Sequence, residues 1–301
     1  MSMSAPSEPG ESGANKGVIR VQGTFPDLQV KDRGGYQSRH PATLSILREV
    51  FLTYAPDFAG LSFDFFLCSF DNPESCNALA DVVPHVLTYS VTDACRPNII
   101  AVPDFIYGGW PEAGITDYTA TAAAIAEAGQ QPPQQDKVFW IGNPLMDESR
   151  LRLLEIGQEH PDLMEFIGMN WLPPTTGTDT RLPASHYVSL PDHAAYSMLL
   201  DIRGAGYSGR LKLLMQAGRP VFLVERPFRE FFYDQLRPFE HYVPVRADLS
   251  DLVTRVAEVK ASPELARKLG AGAAAFAAEY LTRAYALRYW RDVLVSIGKK
   301  A

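Results

Sequence analysis

The sequence predicts an α/β fold built as two domains with parallel sheets. Three observations predict it. Apolar runs of strand length alternate with stretches of helix length along most of the chain. At 301 residues, the chain is longer than one hydrophobic core usually serves. Residues 196–227 read as one complete strand–turn–helix–strand unit, the building block of a parallel sheet.

The elements follow in order. Residues 1–16 are polar and small and are expected to be a disordered tail. Residues 18–23 make the first strand. Lys31, Asp32, Arg33, Gly34, Gly35 and Tyr36 form a polar loop, with Arg39 and His40 just after it. By residue type this is an exposed loop; its functional reading is a donor or acceptor loop at the mouth of a cleft. Residues 43–54 form a helix that Pro56 ends. Residues 61–70 are apolar and aromatic, a buried strand that stops at Asp71, Asn72 and Pro73. A carboxylate at a strand's carboxyl end lies where open α/β sheets hold their ligands. By residue type alone, Asp71 reads first as the N-cap of a helix over 74–79. Strands follow at 86–90 and 98–102, and Asp104 again falls at a strand end, as a site carboxylate or a loop cap.

An alanine-rich helix covers 118–128, and a strand covers 137–141 before Gly142, Asn143 and Pro144. Residues 147–159 form a helix carrying Arg150 and Arg152, and 163–169 form the next strand. Residues 172–183, rich in Pro, Thr and Gly, read as a loop. The domain boundary is expected near Asp136, giving domains 17–135 and 136–280 and a terminal helix in 281–301.

In the central unit, 198–202 is a buried strand, and Gly204, Ala205 and Gly206 make a turn. Ser208 is the expected N-cap of a helix over 210–216, which Gly218 stops; 221–224 is the next parallel strand. A glycine turn running into a helix N-terminus suits a phosphate, and Arg203, Arg210 and Lys212 add positive charge there. Gly204, Ala205, Gly206, Tyr207, Ser208 and Gly209 also match G-x-G-x-x-G, with Glu225 ~20 residues on as in dinucleotide folds. An NAD-dependent oxidoreductase is therefore an alternative reading. Against it stand the late position of the motif and the basic residues crowding it. Beyond lie a short aromatic helix at 228–235, a last strand at 242–245 and helices at 249–259, 263–280 and 283–297.

The stretch 201–252, DIRGAGYSGRLKLLMQAGRPVFLVERPFREFFYDQLRPFEHYVPVRADLSDL, closely resembles glycosyltransferase family 90. This is the family of LpsA-like bacterial enzymes, CAP10-like capsule enzymes and Rumi-type protein O-glucosyltransferases. The resemblance thins toward Phe63 and toward the C-terminus. It implies a GT-B-like architecture, two Rossmann-like domains facing each other across a cleft, with the terminal helix packing back on the N-terminal domain. It further implies an inverting transfer of a glucose- or xylose-type sugar from a UDP-sugar to a hydroxyl of a glycan, lipopolysaccharide or protein acceptor. In that pattern Asp71 matches the catalytic base. Gly204, Ala205, Gly206, Tyr207, Ser208, Gly209 and Arg210 match the diphosphate cradle. Glu225 and Glu230 compete for the ribose hydroxyls, and Trp110 either stacks on a sugar or packs. The family carries an Arg-Gly-Ser-like turn after the strand at 137–141; here Ile141 replaces the arginine and Asn143 the serine. Arg150 matches a later diphosphate arginine if one residue is inserted, with Arg152 as the alternative. The departure at Ile141 keeps open a non-catalytic nucleotide-sugar binder.

Composition sets the outer bounds. A net charge of −7 argues against a nucleic-acid partner. Cys68, Cys76 and Cys95 have no metal-like spacing and fit reduced thiols. No apolar run reaches the ~18 residues of a membrane span, and the N-terminus lacks the apolar centre of a signal peptide. The expectation is a cytoplasmic protein with at most peripheral association at the inner membrane. No DxD pair marks a strand end, so neither a metal nor another cofactor is expected beyond the UDP-sugar donor.

Overall fold

The computed structural model describes residues 17–35, 38–170, 182–183 and 187–300, with the side chains of Asn170, Leu182 and Pro183 excepted. The expected tail at 1–16, Tyr36 and most of the loop read at 172–183 lie outside the described residues. In chain order the strands are β1 (Val18–Thr24), β2 (Asp27–Asp32), β3 (Leu61–Cys68), β4 (His85–Thr88), β5 (Ile99–Ala101), β6 (Gln135–Gly142), β7 (Met164–Asn170), β8 (Leu182–Pro183), β9 (Tyr196–Asp201), β10 (Val221–Val224), β11 (Val243–Val245) and β12 (Lys299–Lys300). The α-helices are α1 (Arg39–Thr53), α2 (Ala55–Phe58), α3 (Asn77–Ala80), α4 (Tyr118–Gly129), α5 (Glu148–Glu159), α6 (Leu211–Leu214), α7 (Leu252–Ala261), α8 (Pro263–Tyr280) and α9 (Arg283–Ile297).

The chain forms two compact units. The first takes the chain up to Tyr118, then 227–233, then the stretch from Thr282 onward; the second takes 119–226 and 234–281. Each has an α/β architecture: the first is built around a mixed sheet whose β3, β4 and β5 run parallel, the second around a wholly parallel one.

In the first unit the strand order is β2-β1-β3-β4-β5, with β12 also paired to β3. β3, β4 and β5 run parallel, while β1 and β12 are antiparallel to β3. The polar stretch read as a loop before Tyr36 begins inside a hairpin: β2 pairs antiparallel with β1 through Asp32. Asp27–Asp32 is a mostly exposed edge strand, which is why its charges hid it. Alternation in β3 sends Phe63 and Phe65 toward an aromatic cluster with Phe51 and Phe58. Phe66 and Cys68 pack into a second cluster with Val86, Ile99 and Cys76. α9 belongs to this unit, held by Arg283 Nη1 donating to Glu49 at 2.6 Å and by Trp290 Nε1 donating to the Pro103 carbonyl at 3.0 Å.

The second unit has the strand order β11-β10-β9-β6-β7-β8, every pair parallel. Numbered from its first strand this is 3-2-1-4-5-6 read in reverse, the doubly wound order of a dinucleotide fold. Val138, Trp140, Met198, Leu200, Phe222 and Val224 form one apolar face, packed on α5, α7 and α8. The intervening Phe139, Ile141, Leu199 and Leu223 are buried as well, so both faces are covered, as a parallel sheet requires. The central strands β9 and β10 lie where the apolar runs predicted. The helix between them does not: α6 has four residues and continues as a 3-10 turn over Met215–Ala217. Gly218, at φ +60°, closes it in the left-handed conformation that glycine adopts without strain. The expected aromatic helix at 228–235 is also absent; a bridge between Val91 and Arg229 precedes a single 3-10 turn, Tyr233–Gln235.

Candidate active site

The order of the second sheet includes a point at which the winding direction reverses. β7 and β9 leave the first strand, β6, on opposite sides, so the chain reverses its winding direction there. The crevice beyond the carboxyl ends of β6 and β9 is the switch point at which doubly wound sheets bind ligands. Two turns line it: Gly142, Asn143 and Pro144 after β6, and the stretch from Ile202 to Arg210 after β9.

Arg150 ties these turns together. It is 7% exposed. Its Nη1 donates to the Asn143 carbonyl at 2.9 Å, its Nε to the Arg203 carbonyl at 2.7 Å and its Nη2 to the Ile202 carbonyl at 3.3 Å. The guanidinium lies 5.4 Å from the Trp140 ring centre. Arg152, the alternative, is exposed and pairs with Glu155. Asn143 turns its side chain to its own segment, accepting from Leu145 N–H at 3.0 Å. Arg210 Nη1 donates to the Ile141 carbonyl. Ile141 thus takes part at this turn through its carbonyl, while its side chain is apolar and buried.

Asp201, the last residue of β9, anchors the glycine turn from below. One carboxylate oxygen accepts Ser208 Oγ–H at 2.6 Å, and the other accepts Arg226 Nη1–H at 2.6 Å. Asp201 and the Arg226 side chain are essentially inaccessible to water. Ser208 is therefore not the N-cap. Arg210 occupies that position without a side-chain cap bond, and the hydroxyl is drawn to a buried carboxylate seven residues earlier. A four-residue α6 also supplies little macrodipole, so side-chain cations dominate the charge here. Gly204, Gly206 and Gly209 are not among the positive-φ glycines. A Cβ on Gly204 would stand 3.4 Å from Arg150 Nη2, so at that position the glycine permits close approach of the arginine.

The electrostatics favour an anion. Burial pulls the Arg150 guanidinium down to about 9, and the neighbouring Arg210 charge pulls the same way. Burial also lowers Arg210, against the opposing pull of Asp201. Each has lost hydration, and Arg150 faces a like charge. Arg203 pairs with Asp147 at 3.2 Å, and the fully buried Lys212 Nζ donates to the Gly209 carbonyl at 3.0 Å. Tyr207 lies under that ammonium, 5.6 Å away at its ring centre. Glu225 is exposed just past β10, with its N–H bonded to the Val245 carbonyl at 2.8 Å. Its charge helps to raise the pKa of Tyr242, after burial.

In the first unit, Asp71 follows β3 and its side chain is 33% exposed. The cap of the following 3-10 turn is Asn72, whose Oδ1 accepts Glu74 N–H at 3.0 Å, and not Asp71. Asp71 Oδ1 instead accepts Arg39 Nη1–H at 2.9 Å. Arg39 and His40, read as loop residues, open α1, and His40 is only 2% exposed. The signal that separates them from an ordinary loop is non-local and lies in contacts more than 25 residues away. Asp104 is buried and caps Phe105–Gly108, accepting Ile106 N–H at 3.3 Å. Trp110 packs edge-on against Phe105 at 5.6 Å. Glu230 belongs to this unit, buried near Tyr107, whose phenol is pushed well above its usual pKa by burial first and by neighbouring groups that include Glu230.

Among the described residues, no cluster of three His, Cys, Asp or Glu could hold a metal ion, and no helix is long and apolar enough to cross a membrane. Residues 28–300 match the family model described as Glycosyl transferase family 90. Protein O-glucosyltransferase 1 of Rattus norvegicus is 38% identical over 117 residues, covering 39% of this chain and 30% of that protein. The O-glucosyltransferase rumi of Drosophila melanogaster is 33% identical over 161 residues, covering 52% of this chain and 38% of that protein. The rumi homolog of Aedes aegypti is 30% identical over 182 residues, covering 58% and 44%. The chain thus spans less than half the length of these curated relatives. A solved structure titled Crystal Structure of TarM aligns with a TM-score of 0.43 and 12% identity, over 91% of this chain and 49% of that one, a likeness too slight to carry a functional argument.

Proposed function

The chain belongs to glycosyl transferase family 90, and from that premise we propose that it moves a glucose- or xylose-type sugar from a UDP-sugar to a hydroxyl of a glycan, lipopolysaccharide or protein acceptor, with inversion. The observation that carries this reading is the pair of desolvated guanidiniums, Arg150 and Arg210, at the switch point of a doubly wound sheet. A diphosphate there relieves their repulsion and replaces their lost hydration with charge-assisted hydrogen bonds.

Within that proposal, Arg210 and the backbone N–H groups of the turn Gly204, Ala205, Gly206, Tyr207, Ser208 and Gly209 receive the diphosphate. Arg150 holds the two turns in register and adds charge from beneath. Ser208 acts by tying the turn to Asp201, since its hydroxyl is already donated. Glu225 takes the ribose hydroxyls, because it is exposed at a strand end of the same sheet, whereas Glu230 is buried in the other unit. Asp71 accepts the proton of the acceptor hydroxyl as that oxygen bonds to the sugar's anomeric carbon. The bond from that carbon to the phosphate oxygen breaks, and UDP departs with the electron pair. The arginines stabilise the charge developing on the leaving diphosphate.

A thermal-shift panel of UDP, UDP-glucose, UDP-xylose, GDP, ADP and NADH tests the reading. A ligand that binds only the folded state raises the melting temperature, by an amount set by its concentration over Kd. UDP and at least one UDP-sugar are expected to stabilise the protein, and NADH is not. Stabilisation by NADH alone would support the oxidoreductase alternative suggested by the glycine turn.

A further inference from the structure

We propose that Arg39 is the positioning residue for Asp71, setting the orientation of its carboxylate for proton acceptance. This rests on the reading of Asp71 as the acceptor base and names a residue that acts through it.

Asp71 sits in an irregular stretch after β3, where no ladder or helix bond fixes its side chain. Arg39 supplies the missing constraint. A single nitrogen, Nη1, donates both to the Ser69 carbonyl at 3.0 Å and to Asp71 Oδ1 at 2.9 Å. It therefore fixes the carboxylate relative to the backbone two residues earlier. The Arg39 side chain is only 17% exposed, and its guanidinium lies 5.2 Å from the Phe105 ring centre. The carboxylate has one oxygen committed and the other directed to no described protein partner, so a proton can be accepted at Oδ2.

The far side of the clamp is equally fixed. Ser69 is fully buried. Its N–H and its Oγ–H both donate to the Gly17 carbonyl, at 2.9 and 3.1 Å. His40, adjacent to Arg39, is hydrogen-bonded through Nε2 to Ser69 Oγ at 2.8 Å and through Nδ1 to Asp32 Oδ1 at 2.6 Å. Two successive residues of α1 thus grip the β3 exit: His40 immobilises Ser69, and Arg39 uses the immobilised carbonyl to aim Asp71. A charge-assisted bond held by a rigid partner loses little freedom when the acceptor arrives.

The test uses the full chain, with UDP release from UDP-glucose as the turnover readout and UDP titration by calorimetry as the binding readout. Arg39→Ala is expected to lower turnover by roughly 10–10²-fold, the scale on which a misplaced catalytic group costs rate, while UDP affinity and melting temperature stay near the parent's. Guanidinium chloride at a low, non-denaturing concentration should restore part of the lost rate in Arg39→Ala and none in Asp71→Asn. The double variant should be no slower than Asp71→Asn alone, because two residues acting as one unit do not add. Should Arg39→Ala fail to fold, Arg39→Gln, which keeps a donor of similar reach but no charge, must show the same split between turnover and binding. Parental turnover in the arginine variants, absence of guanidinium rescue, or an additive double variant would each overturn the proposal. Parental turnover in Asp71→Asn is a separate result: it removes the base reading itself and with it any need for a positioning residue.

Discussion

The buried pair Asp201–Arg226 offers a prediction whose size follows from geometry. Both side chains are within 1% of complete burial, their contact is 2.6 Å, and the second carboxylate oxygen is occupied by Ser208 at 2.6 Å. Asp201→Asn conserves shape and can still accept the serine hydroxyl, but it removes the negative charge that lies 2.6 Å from a desolvated guanidinium. Breaking one side of such a pair costs about 3–5 kcal/mol. In a unit of this size each kcal/mol moves the melting temperature by roughly 2–4 °C, so the variant should melt ~6–20 °C lower. Arg226→Met strands the carboxylate and should cost a similar amount. The double variant Asp201→Asn with Arg226→Met removes both charges of the pair and should recover to within about 2 kcal/mol of the parent, since neutral replacements of buried pairs are often close to neutral in energy. Calorimetric scans of the four proteins complete the cycle. Single variants that each lose less than about 1 kcal/mol, or a double variant that loses the full sum, would show that this pair does not anchor the glycine turn.

Three further outcomes follow from the second unit. Burial holds His193 neutral, with its pKa lowered to about 3 from 6.5. As pH falls below 6.5 the unfolded chain takes up a proton that the folded state refuses, so stability drops by ~2 kcal/mol between pH 7 and pH 5; His193→Phe should remove that portion of the acid sensitivity in urea titrations at the two pH values, and an unchanged slope would refute the assignment. Arg210→Ala should weaken UDP binding by about 2–4 kcal/mol in calorimetry, with Arg210→Lys recovering only part because an ammonium lacks the planar fork; parental affinity in the alanine variant would exclude Arg210 from the diphosphate site. Because arginines supply the charge at these turns, UDP binding should survive EDTA, and a loss that manganese restores would contradict the arginine-based site.

The legible parts of the fold were those governed by local pattern. β9, β10 and their parallel pairing follow from two apolar runs bounded by glycine turns, and the C-terminal helices from amphipathic spacing. Residues whose environment is set from afar were misread. β2 looks like a loop because an edge strand tolerates charge on both faces. Residues 228–235 carry helix-like aromatic spacing, but Arg229 pairs with Val91 and Phe231 packs on Tyr107 and Tyr289, contacts that favour an extended path. Ser208 satisfies every local rule for a cap, yet a hydrogen bond to a buried carboxylate outweighs one to a helix amide. Of the candidate residues, Arg210 was legible from its charge beside a glycine turn, whereas Asp71 and Arg150 were singled out by the family resemblance. Neither signal could reveal that Arg39 reaches Asp71 across 32 residues, or that Arg150 spends its donors on the carbonyls of two different turns. Such partners are fixed by topology, and a single sequence does not display it.

The central claim, that this chain transfers sugar from a UDP-sugar with Asp71 as base, is tested most directly by comparing the parent with Asp71→Asn. Release of UDP from UDP-glucose or UDP-xylose, with water as a weak acceptor, is measured alongside UDP affinity. Asn72 already caps the following turn, so the substitution leaves that cap in place. The account predicts UDP release by the parent, a fall of roughly 10²–10⁴-fold in Asp71→Asn, and an unchanged Kd for UDP. Equal turnover by the two proteins, or no UDP binding by either, would contradict it.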